Sequence, residues 1–111
     1  MFEGFGIPVG LLSALCFVES SHRSIDVLDT NGRVSHGICQ VQEGAARQVG
    51  IKETSLIRTK KGNIRAAALY LSYGRERCGT WIGALHQYNT GKCGKTIGPY
   101  VRKVLERWSQ Q

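Results

Sequence analysis

A glutamate on an apolar helical stripe is the first residue whose position suggests chemistry. Glu19 follows Leu11 and Leu15 at helical spacing, so the three side chains share one face of a predicted helix. A carboxyl group on such a face is neutral, paired or at the rim of a cleft. Partial burial raises a glutamate pKa towards neutrality, which a general acid requires. Alternatively, Glu19 ends its helix and faces solvent beside the polar residues 20–22.

Further along the chain, two segments have residues suited to lining a binding cleft. Gly37 permits a close backbone approach, and Gln40 follows two apolar residues and can direct its amide into a cleft. Amides suit the acetamido and hydroxyl groups of sugars because they both donate and accept hydrogen bonds. Tyr88 continues an apolar helical face, and Gly91 is typical of a helix end. The alternatives are an exposed Gln40 after a hairpin strand and a core tyrosine followed by a helix cap.

The elements that must position these residues are mostly helical. Apolar residues at helical spacing predict four longer helices, which begin after Pro8, with Asn63 as N-cap, with Thr80 as N-cap and at Pro99. Shorter helical segments are predicted near residues 43–50 and 53–57. Asn31-Gly32, between β-branched residues, is a strong hairpin signal. The sequence therefore predicts one mostly α domain over residues 1–111, a helical bundle with a small β-hairpin near residues 27–35.

In their order and spacing, these segments resemble the soluble lytic transglycosylase domain family. The matching segments are Glu19-Ser20 after an apolar helix, Ser35-x-Gly37-Ile38-Cys39-Gln40-Val41, Asn63-Ile64 with Tyr70-Leu71, and Ala84-x-x-x-Tyr88-Asn89-x-Gly91. Nearly the whole chain from Leu11 to Trp108 is covered. Cys39 stands where the family usually has Met, as in phage and secretion-associated members. The glycine expected in the third motif is replaced around residues 66–68.

The resemblance implies an α+β lysozyme-like fold and cleavage of the β-1,4 bond between N-acetylmuramic acid and N-acetylglucosamine. By motif position, Glu19 would be the single catalytic acid and base. Ser35, Gln40, Tyr88 and Asn89 would line the sugar cleft, and Tyr88 would hold the Glu19 carboxyl by a hydrogen bond. Family members need no cofactor or metal. The implied partner is the peptidoglycan glycan strand, cleaved by a monomer in the periplasm or cell wall.

Two enzymatic outcomes differ in the product. With one carboxylate, the 6-hydroxyl of muramic acid closes a 1,6-anhydro ring, as in a lytic transglycosylase. In a goose-type-like lysozyme, a second carboxylate would position water, and Asp26 and Asp29 on the hairpin are the candidates. Because an aspartate beside an Asn-Gly turn is usually exposed, Asp29 is expected to stabilise the turn and Asp29→Asn to leave the rate nearly unchanged.

The charge balance leaves an interpretation of another class open. Fifteen Lys and Arg residues against eight Asp and Glu give a net charge of +7. Such an excess favours polyanionic partners, including anionic wall polymers and nucleic acid. A non-catalytic basic module that binds nucleic acid or a wall polymer is therefore an alternative. Nucleic acid is not expected, since the aromatic residues are not interleaved with Lys and Arg as stacking platforms usually are.

The four cysteines include no CxxC pair, which argues against a zinc ribbon and a thioredoxin-type motif. Cys78 and Cys93 flank one predicted helix beside glycines, and we expect them to pair if they are oxidised. The competing pair joins Cys16, on an apolar helical face, to Cys39, in a strand-like stretch. Buried free thiols are the alternative to both. A disulfide would imply an oxidising compartment.

Export is not explained by a targeting segment. No apolar run approaches ~18 residues, so we expect no membrane-spanning helix. The apolar start of the chain lacks a preceding basic residue and is a poor secretory signal peptide. The expectation is export by phage lysis, a virion or a secretion machine, or a domain cut from a longer chain.

Overall fold

The computed structural model describes residues 2–111 and shows a mostly helical domain with a small antiparallel hairpin, which confirms the predicted fold class. In chain order the elements are α1 (Leu11–Ser20), β1 (Asp26–Leu28), β2 (Val34–His36), α2 (Glu43–Gln48), a 3-10 helix (Thr54–Arg58), α3 (Lys60–Cys78), α4 (Trp81–Thr90) and α5 (Pro99–Ser109). Among these residues, no helix combines the length and the apolar character that a membrane crossing requires.

The helix ends follow the local sequence signals, with one correction. Thr80 caps α4 by accepting a hydrogen bond from the Gly83 N–H at 2.9 Å, and α5 begins at Pro99 as predicted. The prediction of Asn63 as the N-cap of α3 is wrong. Thr59 is the cap and accepts from Gly62 N–H at 3.0 Å, while Asn63 lies inside the helix and is fully buried.

Asn63 is buried because its amide bonds to chain segments outside α3. Its Oδ1 accepts a hydrogen bond from Cys39 N–H at 2.9 Å, and its Nδ2 donates to the carbonyls of His36 at 2.7 Å and Ile57 at 2.6 Å. Gly37 makes room for this amide, since a Cβ there would lie 2.6 Å from Asn63 Nδ2. This tertiary use of the side chain overrides the local capping signal.

The hairpin has a longer turn than the Asn-Gly signal predicts. Its register pairs Asp26 with His36 and Leu28 with Val34, which leaves residues 29–33 as the loop. A two-residue Asn-Gly turn needs positive φ at both residues, but only Gly32 has it here, at 81°. Because the loop is longer, its side chains can extend over the neighbouring surface.

Two helix pairs form the core of the domain. α3 packs against α4, and α1 packs against α5. The α3–α4 pair is close because Gly74 has no side chain: a Cβ there would lie 3.2 Å from Ala84 Cα. Large apolar side chains that are fully buried come from α1, the 3-10 helix, α3, α4 and α5: Leu11, Leu12, Leu15, Ile57, Ile64, Leu71, Leu85, Val101 and Val104.

The expected Cys78–Cys93 disulfide and the competing Cys16–Cys39 disulfide are both present. Cys78 pairs with Cys93 across α4, and Cys16 pairs with Cys39. The two pairings were expected to compete, but they occur together, and a Cys16–Cys78 link is ruled out. Cys39 lies in a turn after β2 rather than in a strand, so the Cys16–Cys39 bond joins α1 directly to this turn.

Replacing Asn63 with Ala should lower the free energy of unfolding by about 2–4 kcal/mol, because one buried N–H and two buried carbonyls lose their partner. Urea denaturation measures the change. The matched control is Asn31→Ala, which removes one exposed bond to the Arg33 N–H and should cost no more than about 1 kcal/mol. Equal losses in the two variants would contradict the role given to Asn63.

Candidate active site

A cleft of about 810 Å³ lies between the hairpin, the segment that leads into α2, and helices α3 and α4. All five residues singled out in the sequence line it: Glu19, Ser35, Gln40, Tyr88 and Asn89. They come from α1, β2, the turn after β2 and the end of α4. The fold therefore brings together residues that are up to seventy positions apart in the chain.

Glu19 is half-buried in the last turn of α1, at the wall of this cleft. Burial raises the pKa of Glu19 from its ordinary value of 4.5 to about 7, a hydrogen bond from Tyr100 lowers it in part, and the charge of Asp29 raises it. The Tyr100 hydroxyl donates to Glu19 Oε2 at 2.5 Å. Near neutral pH this carboxyl can therefore both donate and accept a proton.

The hydrogen bond expected between Tyr88 and Glu19 is wrong, and Tyr100 makes it instead. The Tyr88 hydroxyl donates to the carbonyl of Cys39 at 2.7 Å. Burial raises the pKa values of both tyrosines well above 10, so each remains a hydrogen-bond donor. Tyr100 reaches Glu19 because α5 packs along α1 and places its first turn beside the end of that helix.

The turn Gly37–Gln40, of which Gln40 lines the cleft, is bonded to three helices. From α1, the Ser20 hydroxyl donates to a turn carbonyl at 2.5 Å, and the Cys16 disulfide reaches the same turn. From α3, Asn63 bonds one turn amide, and from α4, Tyr88 donates to another carbonyl. Because Ser20 follows Glu19 directly, these bonds fix the turn relative to the acid.

Gln40 and Ser35 are held by bonds within the protein. Gln40 has a positive φ of 53°, and its Nε2 donates to the carbonyls of Ile25 at 2.8 Å and Gly37 at 2.9 Å. Of the two amide atoms, only Oε1 is therefore available to bond a ligand. The Ser35 hydroxyl is buried and donates to Asp29 Oδ2, so Ser35 supports the wall rather than offering a free hydroxyl.

Asn89 is exposed at the rim of the cleft, and its side chain makes no hydrogen bond to the residues from 2 to 111. It can therefore donate and accept toward a ligand.

Asp29 is part of the cleft, contrary to the expectation of an exposed turn residue. Its side chain is half-buried, and Oδ2 accepts hydrogen bonds from Ser35 Oγ and from Gln42 Nε2, the latter at 2.8 Å. Its charge is close enough to raise the Glu19 pKa. Asp26, the other hairpin candidate, lies outside the cleft and pairs with His36 Nδ1 at 3.1 Å. Of the two carboxylates, only Asp29 can act with Glu19.

Sequence reasoning did not assign Tyr100 and Tyr70 to the site. In the sequence, Tyr100 lies on the apolar face of the last predicted helix. A tyrosine hydroxyl among core residues indicates that the tyrosine has a buried hydrogen-bond partner. Tyr70 lines the cleft and packs on Tyr88 with ring centroids 5.5 Å apart. It presents an aromatic surface of the kind on which a sugar ring can stack.

The site combines one carboxyl group of raised pKa, that of Glu19, with a polar groove. Over the described residues 2–111, no cluster of three or more His, Cys, Asp or Glu side chains is arranged to hold a metal ion. The cleft is lined mainly by hydroxyl and amide groups, with Glu19 and Asp29 as its carboxyl groups. Such a lining suits a hydroxyl-rich ligand with an acid-labile bond placed at Glu19.

Comparisons with known proteins found no relative of this chain. No protein-family model, no curated protein and no solved structure matches this chain.

Replacing Tyr100 with Phe should raise the Glu19 pKa above its value of about 7, because the lost hydrogen bond is one that favours the charged carboxylate. Carboxyl ¹³C chemical shifts followed against pH measure the change. Tyr88→Phe is the matched control, since its hydroxyl bonds to a backbone carbonyl and not to Glu19. Unchanged Glu19 titration in the Tyr100 variant would mean that this hydrogen bond does not form in solution.

Proposed function

We propose that this protein is a peptidoglycan lytic transglycosylase that cleaves the β-1,4 bond between N-acetylmuramic acid and N-acetylglucosamine, with Glu19 as acid and base. The observation that carries the proposal is a half-buried carboxyl with a pKa of about 7 at the wall of a polar cleft. The motif resemblance of the sequence, from Glu19 to Asn89, supplies the substrate class. The lysozyme-like fold it implies belongs to the same proposal.

The reaction uses the two protonation states of Glu19 in turn. The protonated carboxyl donates its proton to the glycosidic oxygen, the bond to C1 of muramic acid breaks, and positive charge develops at C1. The acetamido oxygen of the same sugar stabilises that charge in place of an enzyme nucleophile. The Glu19 carboxylate then removes the proton of the 6-hydroxyl, whose oxygen attacks C1 and closes the 1,6-anhydro ring. Glu19 is protonated again at the end.

The other cleft residues hold the acid and the sugars. Tyr100 orients the Glu19 carboxyl through its bond to Oε2. Gln40 Oε1 and the Asn89 amide are free to bond acetamido and hydroxyl groups, and Tyr70 offers an aromatic face. The net charge of +7 suits a cell wall made anionic by peptide carboxylates and polymer phosphates.

We place this activity outside the cytoplasm, in the periplasm or cell wall. The disulfides Cys16–Cys39 and Cys78–Cys93 support this location, because such bonds persist in oxidising compartments. The same proposal includes export by phage lysis, a virion or a secretion machine.

Glu19→Gln should lower the rate of peptidoglycan cleavage by at least ~10²-fold, because an amide cannot protonate the leaving oxygen. Clearing of a peptidoglycan suspension measures the rate. In the wild type, the rate should fall as the pH rises through about 7, as Glu19 loses its proton. Activity within a few-fold of wild type would contradict the assignment. Equal clearing by both proteins, or none by either, would favour the non-catalytic binding module.

Thermal unfolding provides a folding control for Glu19→Gln. Wild-type Glu19 binds its proton more tightly in the folded state, so its stabilisation is complete below about pH 4.5 and is lost as the pH rises to about 7. Gln does not titrate. The Tm of the variant should therefore match the wild type in acid and exceed it above pH 7.

A second candidate function is hydrolysis of the same bond, and the position of Asp29 favours it. An inverting hydrolase needs a second carboxylate that activates water between itself and the acid. Asp29 lies in the cleft and acts on the Glu19 pKa, as such a residue would. However, its Oδ2 already accepts one hydrogen bond within the hairpin, from Ser35, and one from Gln42, which ties the hairpin to the segment before α2. This use of the carboxylate favours a supporting role and hence the transglycosylase.

The products and the Asp29→Asn variant separate the two reactions. For a transglycosylase, mass spectrometry of the digest should show 1,6-anhydro ends, and Asp29→Asn should keep the wild-type rate within a few-fold. For a lysozyme, the ends are one water molecule heavier and the variant should lose ~10²-fold or more. Gln42→Glu, which removes the donor to Asp29 and adds a charge nearby, tests the supporting role separately: it should destabilise the hairpin without changing the product.

A further inference from the structure

Arg33 is a cation at the cleft that the proposed mechanism does not use. It precedes β2, is exposed, and lines the same cleft as Glu19. Among the cleft-lining residues of the described chain, it is the only Lys or Arg. Its guanidinium takes part in none of the hydrogen bonds or salt bridges formed within residues 2–111. The side chain crosses from the hairpin toward α2, where a Cβ on Gly44 would lie 3.8 Å from Arg33 Nη1.

The hairpin also contributes apolar side chains to the cleft. Val27 and Leu28 line the cleft although they are 41% and 71% exposed. Exposed aliphatic side chains at the edge of a polar cleft can contact methyl groups of a ligand. A guanidinium free of protein partners in the same cleft suits a carboxylate on that ligand, since Arg binds carboxylates with two parallel hydrogen bonds.

On the basis of the proposed function, we propose that Arg33 is a specificity-determining residue that binds a carboxylate carried by the muramic acid substituent of the substrate. That substituent has a lactyl methyl and, in intact strands, a peptide of alanine methyls and free carboxylates. Its carboxylates come from two sources: the peptide in intact strands, and the lactyl group itself once the peptide has been removed.

The charges in the cleft fix where such a carboxylate can lie. Asp29, and Glu19 once it has given up its proton, are the negative side chains of the lining, and they would repel a substrate carboxylate close to them. Arg33 offers the compensating positive charge on the hairpin edge. The pairing therefore orients the substituent toward the hairpin and α2 and leaves the glycosidic bond to Glu19.

The test compares Arg33→Gln with the wild type on matched glycan strands. One set carries the peptides, a second has been stripped of them by an amidase, and a third and fourth are the same strands with carboxyls converted to amides by carbodiimide and ammonia. Arg58→Gln is the control, because it removes the same charge from an exposed position outside the cleft. KM and kcat are measured for each protein on each strand, together with binding to Glu19→Gln proteins that cannot cleave.

Arg33→Gln should raise KM about 5- to 10-fold on strands with free carboxylates, with kcat nearly unchanged, since one exposed charge-assisted pair is lost. The effect should vanish on amidated strands, and Arg58→Gln should show none. A loss on peptide-bearing strands alone identifies the peptide as the source, and a loss on stripped strands identifies the lactyl group.

Equal losses on native and amidated strands, or a change below twofold on both, would overturn the proposal for Arg33. Failure of the wild type to cleave any strand would instead overturn the proposed function. The two failures are therefore distinguishable in one experiment.

Discussion

The cleft depends on one turn, Gly37–Gln40, whose backbone polar groups are satisfied by three different helices. A turn beside a core must find partners for its N–H and C=O groups, because an unpaired buried group costs about 1–3 kcal/mol. Here Ser20, Asn63 and Tyr88 supply those partners, and the Cys16 disulfide adds a covalent tie. Since the same helices carry or flank the cleft residues, satisfying the turn also sets the distances within the site.

The properties of Glu19 follow from this arrangement. Its helix ends against the anchored turn, so the carboxyl is neither free in solvent nor sealed in the core. Burial raises its pKa to about 7, and the Tyr100 hydroxyl prevents a larger rise by stabilising the charged form. Catalysis with one carboxyl requires both protonation states at the working pH. The opposing effects of burial and a single hydrogen bond meet that requirement without a metal in the mechanism proposed here.

In the proposed function, the hairpin adds the parts that distinguish one substrate or product from another. Its long loop allows Asp29 to turn into the cleft and Arg33 to cross toward α2, while Val27 and Leu28 form an apolar edge. The acid and its supports lie on helices, whereas these groups lie on a short two-stranded element. In the proposed function, the helices therefore hold the reacting group, and the short hairpin contacts what differs between substrates.

Sequence alone determined the helices, the hairpin and five of the cleft residues, because these depend on local periodicity, on caps such as Thr80 and on motif order. It also identified Glu19 as a carboxyl on an apolar face. Tertiary structure decided which tyrosine holds that carboxyl, since Tyr100 and Tyr88 are equivalent as core-facing tyrosines until α5 packs on α1. It likewise turned Asn63 from a cap into an anchor and Asp29 from a turn residue into a cleft residue. In each case a polar side chain can take either a local or a distant hydrogen-bond partner. Only the packing of the elements determines which partner lies within reach.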